Sequence, residues 1–263
     1  MTAITLTITS GKGGVGKTTA TANLAVAMAD LGKKVVCIDS DIGLRNLDVV
    51  LGLENRIVYD LVDVVEGRCN LRQAMIHDKR MQELYLIPAA QTRDKSAISP
   101  KDMINLCEQL KPDFDWILID SPAGIERGFK NAIAAADQIV VITNPDVAAV
   151  RDADRIIGLI DAEGKGPAQL VINRLIPSMV KKGDMLDADD ILDLLAIKLI
   201  GVIPEDEHVT ICTNRGQPVV LDQKSKAGQA FRNIARRLQG EDVPFMQLDE
   251  KDDIFKRLFG RRG

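Results

Sequence analysis

Eight residues near the start, Gly11-Lys12-Gly13-Gly14-Val15-Gly16-Lys17-Thr18, constrain this chain more than any other stretch. They fit the spacing GxxxxGK[ST], and they stand between an apolar run at 4–9 and a helical pattern at 17–31. A strand, a loop and a helix in that order give such a sequence its use. Glycines accept positive φ and let consecutive N–H groups close around phosphate oxygens, while the helix start adds partial positive charge. Lys17 is expected to reach the β- and γ-phosphates of a nucleotide. Thr18 is expected to offer its hydroxyl to Mg²⁺, with Thr19 beside it on the first helical turn.

The pattern that begins there continues. Runs rich in Val, Ile and Leu at 4–9, 35–39, 84–88, 116–120, 138–143, 169–173 and 199–203 read as strands. Several are almost continuously apolar, as strands covered on both faces must be. Helical patterns at 17–31, 100–110, 127–136, 147–162, 188–195 and 225–238 separate them. Repeated βα units predict α/β architecture: one doubly wound, mostly parallel sheet flanked by helices, over residues 1–240. Residues 240–253 include Pro244 and six carboxylates and read as an exposed connector, which places 241–253 outside the domain.

Open α/β sheets bind ligands at the carboxyl ends of their strands. Two acidic edges fall there. Asp120 follows Ile117-Leu118-Ile119 and is the candidate Walker B carboxylate for Mg²⁺. Asp39-Ser40-Asp41 ends another strand. No glutamine stands out to orient a water for hydrolysis, so Asp41 is the candidate for that role and for a metal contact; a plain turn aspartate is the alternative. Lys12 is unusual. The turn needs no particular side chain there, so a second cation beside Lys17 points to charge compensation during phosphoryl transfer, on its own nucleotide or on one held by a facing subunit.

Composition narrows the partners. Net charge is −4 and the sequence pI is about 5.4, which argues against a generally basic, nucleic-acid-coating surface. Cys37, Cys69, Cys107 and Cys212 form no CxxC pair and read as free thiols. No signal-peptide pattern opens the chain, and no apolar run approaches the roughly 20 residues of a spanning helix. A cytoplasmic protein is expected.

The last segment, 254–263, has a different character. Ile254, Phe255, Leu258 and Phe259 fall on one helical face, with Lys256, Arg257, Arg261 and Arg262 flanking it and no acid among them. This predicts an amphipathic helix lying in an anionic membrane interface; docking on its own domain is the alternative. Burying four large apolar side chains yields up to roughly 6–12 kcal/mol. Each basic residue adds about 1 kcal/mol near anionic lipid. Ordering each residue costs on the order of 1–2 kcal/mol. One tail therefore comes out near zero, whereas two tails on one dimer gain about 10²–10⁴ in avidity.

The motifs TSGKGGVGKTT (9–19), IDSDIGLRNLD (38–48), DSPAGIE (120–126), TNPDVAAVRDADRI (143–156), KLIGVIPED (198–206) and FKRLFG (255–260) together resemble the deviant Walker A ATPases. Within that ParA/MinD group they are most similar to the MinD division-site family, over essentially the whole chain. The GLRNLD stretch and the tail carry the narrower likeness. The resemblance implies an ATPase that dimerises face to face on binding ATP, with Lys12 reaching the partner's phosphates. It implies that Asp41 belongs to switch I and Asp120 to switch II, with Asn46 in the dimer and switch region. By position and type, Asn173 and Pro204-Glu205-Asp206 are implied in adenine recognition. The surface of Arg151, Asp152 and Asp154 resembles the docking site of MinC and MinE, or of another positioning protein. The implied whole is an ATPase that attaches reversibly to the inner membrane surface, recruits a division inhibitor and helps place the septum. A ParA-like DNA-partition ATPase and a flagellar-number regulator of the FlhG type are the alternatives. No specific nucleic acid is expected, and an iron–sulfur carrier of the same superfamily would need paired cysteines.

Overall fold

The computed structural model describes residues 2–94 and 97–248. Residues 249–253 and the expected membrane helix at 254–263 lie outside the described residues.

Along the chain, β1 (Ile4–Thr9) leads into α1 (Lys17–Asp30), and β2 (Val35–Asp39) into the short helices α2 (Leu47–Leu51), α3 (Leu61–Val65) and α4 (Leu71–Ala74). A two-residue strand β3 (Ile76–His77) precedes β4 (Leu84–Ile87) and α5 (Pro100–Leu110). The units β5 (Trp116–Asp120) with α6 (Arg127–Ala134), and β6 (Gln138–Thr143) with α7 (Val147–Ala162), come next. β7 (Ala168–Leu175), α8 (Pro177–Lys182), α9 (Ala188–Leu195), β8 (Lys198–Pro204), α10 (Glu207–Thr213) and α11 (Lys226–Leu238) complete the described chain.

The eight strands form one sheet in the order β3-β4-β2-β5-β1-β6-β7-β8. Every pairing is parallel except β3 with β4. The central strands are buried throughout because each face has its own core, and alternation along the strand assigns residues to one or the other. On one face Leu6, Ile8, Cys37, Leu118 and Val140 pack with α1 and α11. On the other, Ile38, Ile117 and Ile119 meet Met103 and Leu106 of α5, while Val141, Leu170 and Ile172 meet Ile156 and Ile160 of α7. Helix α1 is buried along most of its length between the sheet and α11, which explains its run of Ala, Leu, Val and Met rather than an amphipathic stripe.

The doubly wound, mostly parallel sheet stands as expected. One departure lies after α11. The start of the acidic connector does not hang free: Val243 is buried, and Met246 and Leu248 pack against the two adjoining cores. Arg237 explains it. Its guanidinium donates to the carbonyls of Val243 (2.8 Å), Pro244 (2.8 Å) and Ile200 (2.9 Å) and lies 4.2 Å from the centre of the Phe245 ring. Fork geometry and cation–π attraction hold residues the pattern of acids and proline assigns to solvent.

Candidate functional site

The carboxyl ends of β1, β2, β5, β7 and β8 converge on one edge of the sheet. Register sets the pairing there: Ile8 lies opposite Asp120, and Asp120 opposite Asp39.

The loop after β1 is built to receive an anion. Ser99, Asp146, Asp187 and Ser225 cap α5, α7, α9 and α11 with side-chain oxygens. The N-cap of α1 is instead Gly16, left-handed at φ 99°, with no side-chain cap. The helix start is thus left open to an external acceptor. Gly16 also has no room for a side chain, since a Cβ would overlap the Asn173 amide. That amide donates to the Val15 carbonyl at 2.7 Å, so Asn173 buttresses the loop from β7. On the other side, a Cβ on Gly11 would overlap the backbone carbonyl of Asp152, so the loop rests directly on α7. Ser10 Oγ donates to the Lys12 carbonyl at 2.7 Å, and the Lys12 side chain is exposed at the mouth. Gly13 and Gly14 are likewise exposed, whereas Val15 is buried beneath the loop.

Lys17 is buried at the floor. Burial pushes its pKa down, and the charges of Asp120 and then Asp41 draw it part of the way back. A buried ammonium between two carboxylates holds its charge ready for a phosphate rather than for water. Asp120 is pushed up by burial, opposed by hydrogen bonds from Thr18 and Thr21 and by the Lys17 charge. Thr21 Oγ1 lies 3.1 Å from Asp120 Oδ1. One threonine hydroxyl and one carboxylate beside a triphosphate site suit Mg²⁺, which keeps few protein ligands and takes the rest from phosphates and water. When bound, the ion would neutralise charge on the phosphates; Thr18 and Asp120 would hold it.

Asp39 is the residue the sequence left without a role. Its side chain accepts the N–H groups of Asp41 (3.0 Å), Asn46 (3.2 Å) and Leu47 (3.1 Å), tying both ends of the loop that carries Asp41. Burial raises its pKa and the neighbouring Asp120 raises it further, against the amides that stabilise its charge. Arg45, at the loop's crest, adopts a left-handed φ of 42° and lies 3.0 Å from Asp48. Asn46 is exposed beside it.

A second cavity opens at the ends of β7 and β8, lined by Gly16, Thr19, Asn173, Pro204, Glu205 and Phe231 among others. A bulge in β7 makes it: register slips between Ile172 and Leu175, and Arg174 turns left-handed at φ 57°. Asn173 thereby faces the loop while Arg174 is exposed. The Asp206 carboxylate is taken up by the scaffold, accepting from Ser225 Oγ (2.7 Å), the His208 N–H (3.0 Å) and the Ala227 N–H (3.1 Å). Burial pushes its pKa up, but those donors outweigh burial and hold it below the usual range. Its position, rather than its carboxylate, serves the cavity. Arg151 and Asp154 are exposed on α7, and Asp152 is half-buried against the loop.

Residues 6–219 match the family described as the CobQ/CobB/MinD/ParA nucleotide binding domain. The chain is 54% identical to the septum site-determining protein MinD of Bacillus subtilis, covering 98% of each. The chain belongs to the MinD family. Among solved structures it is similar to the MinC:MinD cell division protein complex of Aquifex aeolicus, with a TM-score of 0.88 and 49% identity over 93% of this chain and 99% of that one. It is also similar to the Mg-ADP complex of the septum site-determining protein MinD of Pyrococcus horikoshii, with a TM-score of 0.81 and 30% identity over 90% of this chain and 96% of that one. Membership makes the chain a P-loop ATPase of the ParA/MinD type that acts in placing the division septum. The family's nucleotide-binding character agrees with the open α1 terminus and its flanking Lys17, Thr18 and Asp120.

Proposed function

We propose that Mg-ATP bound at this loop pairs two copies of the chain face to face, and that the pair attaches to the inner, anionic face of the cell membrane through residues 254–259. The observation that carries this reading is the exposed Lys12 at the rim of a site already furnished with the buried Lys17. A second cation facing outward suits phosphates held by a partner subunit. Asp41, on a loop fixed by Asp39, positions the attacking water; Lys17 and Lys12 hold the phosphates as charge builds; Thr18 and Asp120 keep the metal ion in place. Asn173, Pro204 and Glu205 bound the cavity for the adenine, with Asp206 holding the loop's shape. The exposed face of α7, at Arg151 and Asp154, is the docking surface for a MinC-type inhibitor, the component named with MinD in the Aquifex aeolicus complex. A MinE-type protein or another positioning factor would use the same face to stimulate hydrolysis.

Among the described residues no helix is long and apolar enough to cross a membrane, so attachment falls to the amphipathic tail. The test is co-sedimentation with vesicles of anionic lipid in ATP, ADP or a nonhydrolysable analogue. The full chain should pellet with ATP and the analogue but not with ADP, and a chain ending before Ile254 should stay in solution while still binding nucleotide. Equal pelleting in ADP and ATP would remove the switch.

A further inference from the structure

Arg80 belongs to none of the motifs named above, yet it joins the segments that lead to the two halves of the site. Its Nε donates to Asp78 Oδ1 at 3.0 Å and its Nη2 to Asp78 Oδ2 at 2.7 Å, and Asp78 is only 1% exposed. The same guanidinium donates from Nη1 to the Gly216 carbonyl at 2.8 Å and from Nη2 to the Leu51 carbonyl. Leu51 is the last residue of α2, and Gly216 lies in the turn that ends α10. The two backbones touch at this point: a Cβ on Gly52 would overlap the Gly216 carbonyl, and one on Gly216 would overlap Gly52 Cα. Both glycines are left-handed, at φ 64° and 61°.

Each helix leads to a different half of the site. The start of α2 is held by Asp39, through the Asn46 and Leu47 amides, on the loop that carries Asp41. The start of α10 follows Pro204-Glu205-Asp206 at the rim of the second cavity. One continuous path of short, hydrogen-bonded pieces thus runs from the base cavity through α10, Arg80 and α2 to the water-positioning loop. We infer that Arg80 is a positioning residue for hydrolysis: it clamps the carbonyl ends of α2 and α10, so that filling the base cavity sets the Asp41 loop. Occupancy of one end then raises turnover at the other. This inference rests on the ATPase reading, with Asp41 orienting water.

An arginine is required because its planar fork reaches two carbonyls and a carboxylate at once; lysine can keep only the ion pair. The consequence is a dependence of kcat on the base. Coupling carried through such contacts is worth about 0.5–2 kcal/mol, or roughly two- to thirtyfold.

The test measures kcat and KM of the full chain with Mg²⁺ on ATP and on inorganic tripolyphosphate, which offers the phosphate chain without a base. The wild type should turn over ATP about tenfold faster than tripolyphosphate. In Asp78→Asn/Arg80→Gln, which leaves no buried charge unpaired, kcat on ATP should fall to within about twofold of the tripolyphosphate value, with KM for ATP nearly unchanged. Arg80→Lys keeps the charge pair and the fold and should show the same loss, so a poorly folded double variant does not decide the matter. A wild type that hydrolyses both substrates equally fast, or an Arg80→Lys protein with the wild-type ratio, overturns the inference while leaving the ATPase intact. A wild type inactive on both would instead overturn the ATPase reading beneath it.

Discussion

Asp39 and Asp120 face each other across β2 and β5, both buried, and both pKa values are driven upward by that burial. What keeps them useful differs. Asp39 is committed to backbone amides and shapes a loop; Asp120 is surrounded by hydroxyls and Lys17 and is left for a cation. Lys17 answers the charge of Asp120, and that of Asp41, from the P-loop. Removing it by Lys17→Ala deletes charge-assisted bonds to phosphate worth about 3 kcal/mol, so ATP affinity should fall on the order of 100-fold in equilibrium binding. Lys12→Ala should leave affinity within about threefold, since that side chain is exposed on its own subunit, but should abolish ATP-dependent dimers in sedimentation. Dimers of normal stability in that variant would remove the role given to Lys12. A different pair governs pH. His208 Nδ1 lies 2.6 Å from Asp222 Oδ2, and that hydrogen bond raises the histidine's pKa; burial, the next largest influence, opposes it, and the charges of Asp206, Asp222 and Glu207 add to the rise. Asp222 is lowered, first by the Lys224 N–H and then by His208. Stability from the histidine is therefore full below its unfolded value near pH 6.5 and lost as pH rises through the higher folded value. That from the aspartate vanishes only in acid, as pH falls through its depressed folded value. The melting-temperature gap between wild type and His208→Gln should shrink as pH climbs from about 6 to about 9. A gap that is constant over that range would show the pair to be inert.

At the scale of the element, the long pieces were legible and the short ones were not. β2 and β5 announce themselves because a strand buried on both faces must be apolar at every position, and α7 and α9 because one stripe faces a core. Helices α2, α3, α4, α8 and α10, none longer than seven residues, are set by what they pack against rather than by a periodic stripe too short to register. The two-residue β3 exists only by pairing with β4. The same division runs through the site. Lys17, Thr18 and Asp120 follow from a motif and a strand end. Asp39, Thr21 and Arg80 do not: Asp39 acts by taking up the backbone amides of the loop that follows it, while Thr21 meets Asp120, and Arg80 the carbonyls of Leu51 and Gly216, only across the fold. Thr21 does leave one signal in the sequence, since it stands one turn beyond Lys17 on the same helix face. Arg237 belongs to this class too. Because it donates to three carbonyls, Arg237→Ala should lower the stability of the domain by about 1–3 kcal/mol in denaturant unfolding. Residues 241–248 should also become a site of early proteolytic cleavage. A variant cut no faster there than the wild type would show that the buried Val243, Met246 and Leu248 hold the segment without the clamp.

Across the whole molecule, charge and valency act together. A chain with net charge −4 gains little from a negatively charged surface, so the proposed attachment has to be concentrated in a short basic and apolar segment. The affinity of one such segment is marginal, and on the proposed reading the ATP-bound dimer supplies the multiplier by pairing two of them. This fixes what a mixed dimer should do. If full-length protein is combined with an excess of protein ending before Ile254, most full-length copies in ATP will sit in dimers bearing one tail. Those dimers retain the nucleotide, Lys12 and both catalytic loops, so hydrolysis in solution should persist. Their vesicle affinity should nevertheless drop toward that of a single tail, by about 10²–10⁴ relative to two-tailed dimers. The measurement is vesicle pelleting of labelled full-length protein as truncated protein is titrated in, with dimer content followed in parallel. Full-length protein that remains on the vesicles in undiminished amount, while demonstrably paired with truncated partners, would mean that one tail suffices and that ATP acts by exposing it rather than by doubling it.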